Sequence, residues 1–139
     1  MTLIHERIAE WVKTGVPLPY AELTALGYEG RRWRDDYHIS SITRFEVGYS
    51  ARSAKDLEDT FSTPPFSMMP VQGITPAIED FAWQTLRQLA KKGQHRAPSI
   101  PDLLIAATAY ITGMIVLHND KDFDLIAKVT EQKIEKLKL

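Results

Sequence analysis

The sequence predicts an α/β fold with a mostly parallel central sheet and helices on both faces. Helical segments alternate with short apolar strands along the chain, an order that favours parallel pairing and right-handed β-α-β connections. The clearest strand covers residues 114–117 and has no polar alternation, which is typical of a strand buried on both faces. An apolar, alanine-rich helical stretch precedes this strand and should lie against the sheet.

Composition indicates one soluble globular domain, and we treat residues 1–139 as a single unit. The chain is 44% hydrophobic and 25% charged, and its formal net charge of −1 does not indicate nucleic-acid binding by overall charge. It has no cysteine, which excludes disulfides and thiolate metal sites. No signal peptide or membrane-length apolar run is visible, so we expect a cytoplasmic protein without membrane association.

Helix starts are predicted from capping residues, which are Thr43, Ser53, Thr75 and Ser99. A strand over residues 38–42 precedes the first of these helices. The helix after Thr75 is strongly amphipathic and should end at Gly93, and the helix after Ser99 should end at Gly113. Leu125 to Val129 also looks helical.

Two segments are harder to interpret from sequence. Residues 66–71 are consistent with a short strand, and the proline at position 70 assigns that strand to a sheet edge. The tail over residues 131–139 has the lysines and glutamates of a helix, but it also fits a final strand.

Three acids follow separate strand–helix junctions. Glu46 and Asp102 each lie three residues after a predicted cap, and Asp120 follows the apolar strand. Each one alone is well explained as a helix-capping or turn residue. Ligands in open α/β sheets bind beyond the carboxyl ends of strands, so all three would converge at one edge. Converging carboxylates without cysteine favour Mg²⁺ or Mn²⁺ over Zn²⁺ and suit phosphodiester cleavage.

Three motifs carry a family resemblance, namely ITRFEVGYSARS, SIPDLLIAATA and VLHNDKDFD. In this order they resemble the PIN domain ribonucleases, in particular the VapC toxins of bacterial VapBC toxin–antitoxin pairs, over roughly residues 40–133. The resemblance implies a PIN-like fold and a Mg²⁺-dependent endoribonuclease that cleaves single-stranded RNA. It also implies a cognate VapB-type antitoxin as partner, and we expect a homodimer.

The resemblance assigns residues to that site one by one. Glu46 matches the acid of the family's R-x-E motif, and Asp102 matches the acid of I-x-D-x-L-I-A-A. Asp120 matches the first acid after the last core strand, with Asp122 as a further metal-binding candidate. These assignments make Glu46, Asp102 and Asp120 the expected catalytic residues.

Basic and histidine residues near these motifs have weaker functional interpretations. Arg44 and Arg96 are candidates for RNA contact, although surface ion pairing is the commoner role of such an arginine. His95 is expected to be a solvated loop residue and His118 a packed, hydrogen-bonded one, so neither is predicted to bind metal.

The start of the chain departs from the family, so residues 1–38 are atypical. The family opens with a strand that ends in Asp followed by Thr or Ser, whereas His5 stands about where that acid belongs. The start codon could lie elsewhere, the segment could be foreign to the domain, or the acid could be lost with His5 or Glu6 as a substitute. The alternative function is therefore a catalytically impaired PIN domain that binds RNA or a partner.

Overall fold

A computed structural model describes residues 2–4, 37–64 and 66–136 of the chain. The expectations for His5 and Glu6 lie outside the described residues. Within them, strands and helices are β1 (Thr2–Ile4), β2 (Tyr37–Ser40), α1 (Ser41–Tyr49), α2 (Ala54–Ser62), β3 (Val71–Gln72), α3 (Pro76–Lys91), α4 (Ile100–Thr112), β4 (Ile115–His118), α5 (Lys121–Thr130) and β5 (Ile134–Lys136).

The strands form one five-stranded sheet in the order β3-β2-β1-β4-β5, and every neighbouring pair is parallel. Val116 and Leu117 point to opposite faces of β4, and both are at most 1% exposed, so both faces of the sheet are covered. The predicted α/β class with a parallel sheet is therefore confirmed. This topology brings the carboxyl ends of β1, β2 and β4 to one edge of the sheet.

The core lies between β4 and the helices α3, α4 and α5, as the apolar stretch predicts. The residues of its main buried cluster are Leu3, Leu89, Leu103, Ile105, Ala106, Ala109, Met114, Val116, Phe123 and Ile126. The alanines of α4, at positions 106, 107 and 109, are all buried, as predicted for a helix that lies in the core. Gly113 ends α4 with φ 73°, a left-handed conformation that glycine adopts without strain.

The predicted N-cap of α1 is wrong by three residues. Ser40 is the N-cap, and its side-chain oxygen accepts a hydrogen bond from the Thr43 N–H at 3.0 Å. The Thr43 hydroxyl also accepts a hydrogen bond from the Ser40 hydroxyl at 3.2 Å, inside the helix. The strand consequently ends at Ser40, and Glu46 lies in the second turn of α1 and not at a capping-box position.

Other boundaries also differ from the expectations. Residues 66–71 do not form a continuous strand, because Phe66–Met68 forms a 3-10 turn and β3 begins at Val71. β3 does occupy a sheet edge. α5 begins earlier than predicted because Asp120 caps it, and the ambiguous tail contains a strand, β5. Among the described residues, no helix has both the length and the apolar character that crossing a membrane requires.

Candidate metal centre

Three aspartates come together at the carboxyl end of β4. One carboxylate oxygen each from Asp102, Asp120 and Asp122 lies within 4.8 Å of the others. Asp102 is only 3% exposed, and the other two are half-buried. This is the one such cluster of potential ligands among the described residues.

Asp102 is positioned by the start of α4. Ser99 is the N-cap, and its hydroxyl oxygen accepts a hydrogen bond from the Asp102 N–H at 3.2 Å. Pro101 occupies the first turn, where its missing N–H costs nothing. The cap therefore fixes the backbone of Asp102 in the first turn and directs a buried carboxylate toward the cluster.

Asp120 and Asp122 are positioned by the turn between β4 and α5. Asp120 is the N-cap of α5, and its Oδ1 accepts a hydrogen bond from the Asp122 N–H at 3.0 Å. The Asp120 N–H in turn donates to Nδ1 of His118 at 3.1 Å. His118 is fully buried at the end of β4, as expected for a packed and hydrogen-bonded histidine.

The electrostatics of this cluster suit a hard cation. The amino ends of α4 and α5 both lie at the aspartates, and their partial positive charges offset part of the mutual repulsion. The remaining repulsion is relieved best by a divalent ion held through oxygen atoms. With carboxylates as the clustered donors and no cysteine in the chain, the donor set fits Mg²⁺ or Mn²⁺.

Glu46 is not a member of the aspartate cluster. It is half-buried and lines an exposed groove between α1 and α2, of which the other lining residues are Arg44, Phe45, Gly48, Tyr49, Leu57, Glu58 and Phe61. Phe45 and Tyr49 are 66% and 92% exposed on this side. The assignment of Glu46 as a metal ligand therefore stays a prediction.

The two candidate RNA-binding arginines are both exposed. The guanidinium carbon of Arg44 lies 5.7 Å from the ring centre of its neighbour Phe45, beside the groove. Arg96 lies next to His95 in the exposed loop between α3 and α4, so His95 has the solvated position expected of it. Asp124 is also exposed and outside the aspartate cluster.

One contribution to the site was not predicted from sequence, namely the hydrogen bond from the Asp120 N–H to His118. The available signal was a histidine two residues before a capping acid, a spacing at which a side chain can reach the backbone.

Comparison with known proteins agrees with this fold. The sequence profile of the PIN domain matches residues 20–129. The chain belongs to the PIN domain family.

Its similarity within that family is to proteins named VapC. The chain is 55% identical over 100 residues to ribonuclease VapC2 of Mycobacterium tuberculosis (strain CDC 1551 / Oshkosh), covering 72% of this chain and 71% of that protein. It is 35% identical over 114 residues to ribonuclease VapC18 of M. tuberculosis (strain H37Rv), covering 76% and 80%.

Solved structures support the same fold. VapBC2 from Rickettsia felis, bound to a promoter DNA fragment, contains a chain with TM-score 0.74 and 19% identity, which covers 99% of this chain and 98% of that one. VapBC-1 from nontypeable Haemophilus influenzae gives a TM-score of 0.75 at 15% identity, with 98% and 97% covered. At these identities the similarity establishes the fold alone.

Proposed function

We propose that this protein is a divalent-metal-dependent endoribonuclease that cleaves single-stranded RNA and acts as the toxin of a toxin–antitoxin pair. The observation that carries the proposal is the cluster of Asp102, Asp120 and Asp122 at the carboxyl edge of the sheet. The relatives named ribonuclease VapC support RNA as the substrate class.

In this proposal the three aspartates hold Mg²⁺ or Mn²⁺. When bound, such an ion offsets the charge that develops on the scissile phosphate and lowers the pKa of an attacking water. The protein fixes the carboxylates through the first turns of α4 and α5, so the site needs little rearrangement to bind the ion. Glu46, which lies outside the aspartate cluster, is proposed as a fourth acid that supports cleavage from beside the three aspartates, and Arg44 and Arg96 are proposed as phosphate contacts.

We further propose that a VapB-type antitoxin inhibits the protein. The fold neighbours come from structures of VapBC, which supports a partner of this type. Phe45 and Tyr49 expose apolar rings on α1, and a contiguous exposed apolar surface is typical of a protein interface. Growth arrest on expression, relieved by a neighbouring small antitoxin gene, is the expected cellular behaviour.

The decisive experiment compares Asp102→Asn with Asp124→Asn in Mg²⁺-dependent cleavage of a labelled single-stranded RNA. Asn keeps the size of the side chain but removes the charge that would bind the metal. We expect Asp102→Asn to lose about 3 kcal/mol of transition-state stabilisation, or roughly 100-fold in rate. Asp124→Asn removes a charge from the same helix turn as Asp122 and should cleave normally.

Equal cleavage by the two variants would contradict the proposed site. The unaltered chain should cleave in Mg²⁺ and lose activity in a chelator. A chain that binds RNA and the antitoxin but never cleaves would support the alternative of a catalytically impaired binding module.

A further inference from the structure

His118 connects the end of β4 to the metal-site turn through two contacts. Its Nδ1 accepts the hydrogen bond from the Asp120 N–H, and its ring lies 5.0 Å from that of Phe123, at an angle of 41°. Both rings are fully buried. Because Nδ1 accepts this hydrogen bond, the neutral ring carries its proton on Nε2.

A short chain of hydrogen bonds therefore runs from the sheet into the cluster. The pairing of β4 with β5 fixes the backbone of His118, in register with Lys136. His118 holds the amide of Asp120, and the carboxylate of Asp120 holds the amide of Asp122. The Nδ1 atom of His118 is thus the first acceptor in a chain of hydrogen bonds that reaches two of the three clustered acids.

We propose that His118 is a positioning residue of the metal site, which acts through the backbone of Asp120 and does not touch the ion or the RNA. The inference rests on the proposed function, because it assigns His118 a role in holding a site for a divalent ion. Its content is specific: the acceptor at Nδ1, and not the bulk of the ring, sets the geometry of Asp120 and Asp122.

The reason is the strict geometry that small divalent ions require. Mg²⁺ binds in near-ideal octahedral geometry, so a modest displacement of one carboxylate weakens its binding. If Nδ1 is removed, the Asp120 N–H loses this acceptor in a half-buried turn, and the turn can relax to find another. Loss of a group that orients a metal ligand typically reduces metal affinity about 10–100-fold.

Three substitutions separate the acceptor from the ring. His118→Phe keeps an aromatic ring against Phe123 but has no acceptor. His118→Asn loses the ring but places an amide oxygen close to the position of Nδ1, whereas His118→Gln places its amide farther out, near the position of Nε2. All three are compared with the unaltered chain by calorimetric titration with Mn²⁺ alone, at a temperature where thermal unfolding shows each protein to be folded.

We expect His118→Phe and His118→Gln to bind Mn²⁺ about tenfold more weakly, and His118→Asn to stay near the affinity of the unaltered chain. Equal affinity in all four proteins would overturn the inference. Equal weakening in His118→Asn and His118→Gln would also overturn it, since the ring would then matter more than the acceptor. An unaltered chain that binds no Mn²⁺ would contradict the proposed function itself and therefore the inference that rests on it.

Discussion

Two segments of the chain look alike in sequence and differ in structure. Thr43-x-x-Glu46 and Ser99-x-x-Asp102 both have the spacing of a capping residue followed by an acid. Around Ser99 the pattern is a true helix start, and Asp102 lies in the first turn with its carboxylate in the metal cluster. Around Thr43 the helix has already begun at Ser41, and Glu46 lies beside an exposed groove.

The difference depends on which side-chain hydroxyl accepts a hydrogen bond from an N–H group in the first turn of the helix, because these groups have no acceptor within the helix. Ser40 ends β2, and its extended backbone lets its side chain accept from the Thr43 N–H, which starts the helix three residues early. Pro101 and the loop before Ser99 leave no competing cap there. An acid in the first turn is fixed at the sheet edge by its cap, and one in the second turn is not.

The largest effect that would sharpen this comparison is the difference between Asp102→Asn and Glu46→Gln. Since the Glu46 carboxylate is outside the aspartate group, we expect Glu46→Gln to change Mn²⁺ affinity little. Glu46→Gln should still lower the cleavage rate about tenfold, because loss of a residue that orients groups at a metal site typically has an effect of that size. Titration with Mn²⁺ and cleavage assays on both variants test this.

Glu58→Gln is the matched control, because Glu58 lines the same groove but belongs to α2. It should leave both measurements unchanged. If Glu46→Gln abolishes Mn²⁺ binding as Asp102→Asn should, then Glu46 is a direct ligand and the site has a fourth carboxylate when the ion is bound.

The sequence predicted the fold well where pattern and local chemistry agree. In the helix after Thr75 and in the apolar helix before Gly113, the hydrophobic periodicity, the N-cap and the terminating residue all indicate the same element. The strand after Gly113 is likewise indicated by its continuous apolar run. Prediction from sequence failed where the structure of a segment depends on contacts with residues distant in the chain. The tail was ambiguous by composition, and β5 forms because β4 offers it a parallel edge.

The three clustered aspartates could be named from sequence as candidate residues, but the contacts that hold them could not. Acids after strand ends are visible in sequence, so Asp102, Asp120 and Asp122 could be named as candidates. Which of them meet depends on helix starts within a residue or two, which sequence locates poorly. The hydrogen bond from the Asp120 N–H to His118 requires a buried histidine ring, and that burial comes from tertiary packing such as the contact with Phe123.

A smaller effect on Mn²⁺ binding should distinguish an N-cap residue that positions a metal-site acid from one that only stabilises the start of a helix. Ser99 and Ser53 are both exposed N-cap residues. The Ser99 hydroxyl oxygen accepts a hydrogen bond from the Asp102 N–H, and the Ser53 hydroxyl oxygen accepts one from the Asp56 N–H. We expect Ser99→Ala and Ser53→Ala each to cost about 1 kcal/mol of stability. Only Ser99→Ala should also weaken Mn²⁺ binding, because it alone releases the backbone of an acid in the cluster.

Urea unfolding gives the stability change of each variant, and calorimetric titration gives the Mn²⁺ affinity. Equal affinities in the two variants would mean that the packing of α4, and not its cap, holds Asp102 in place. A loss of affinity in Ser53→Ala would indicate that general destabilisation, and not local release, governs metal binding.

The smallest effect concerns two buried histidines, one in β2 and one in β4, the strands that precede the compared segments and the metal-site turn. His118 ends β4, and His38 lies in β2, where it is 8% exposed and its Nδ1 lies 2.9 Å from the side-chain nitrogen of Gln72. Burial lowers the pKa of His38 from its ordinary 6.5. The amide of Gln72 can donate to Nδ1 only while the ring is neutral, which agrees with that direction.

A lowered pKa in the folded state sets the sign of the pH dependence. Below pH 6.5 the unfolded chain binds a proton at His38 before the folded protein does, so this residue makes stability fall as pH decreases. The slope is at most about 1.4 kcal/mol per pH unit, and it ends once the folded protein is also protonated. Urea unfolding from about pH 7 to about pH 5 should therefore show a shallower decline for His38→Asn than for the unaltered chain. His118 is present in both proteins, so its contribution cancels to first order, and parallel declines would mean that His38 titrates alike in the folded and unfolded states.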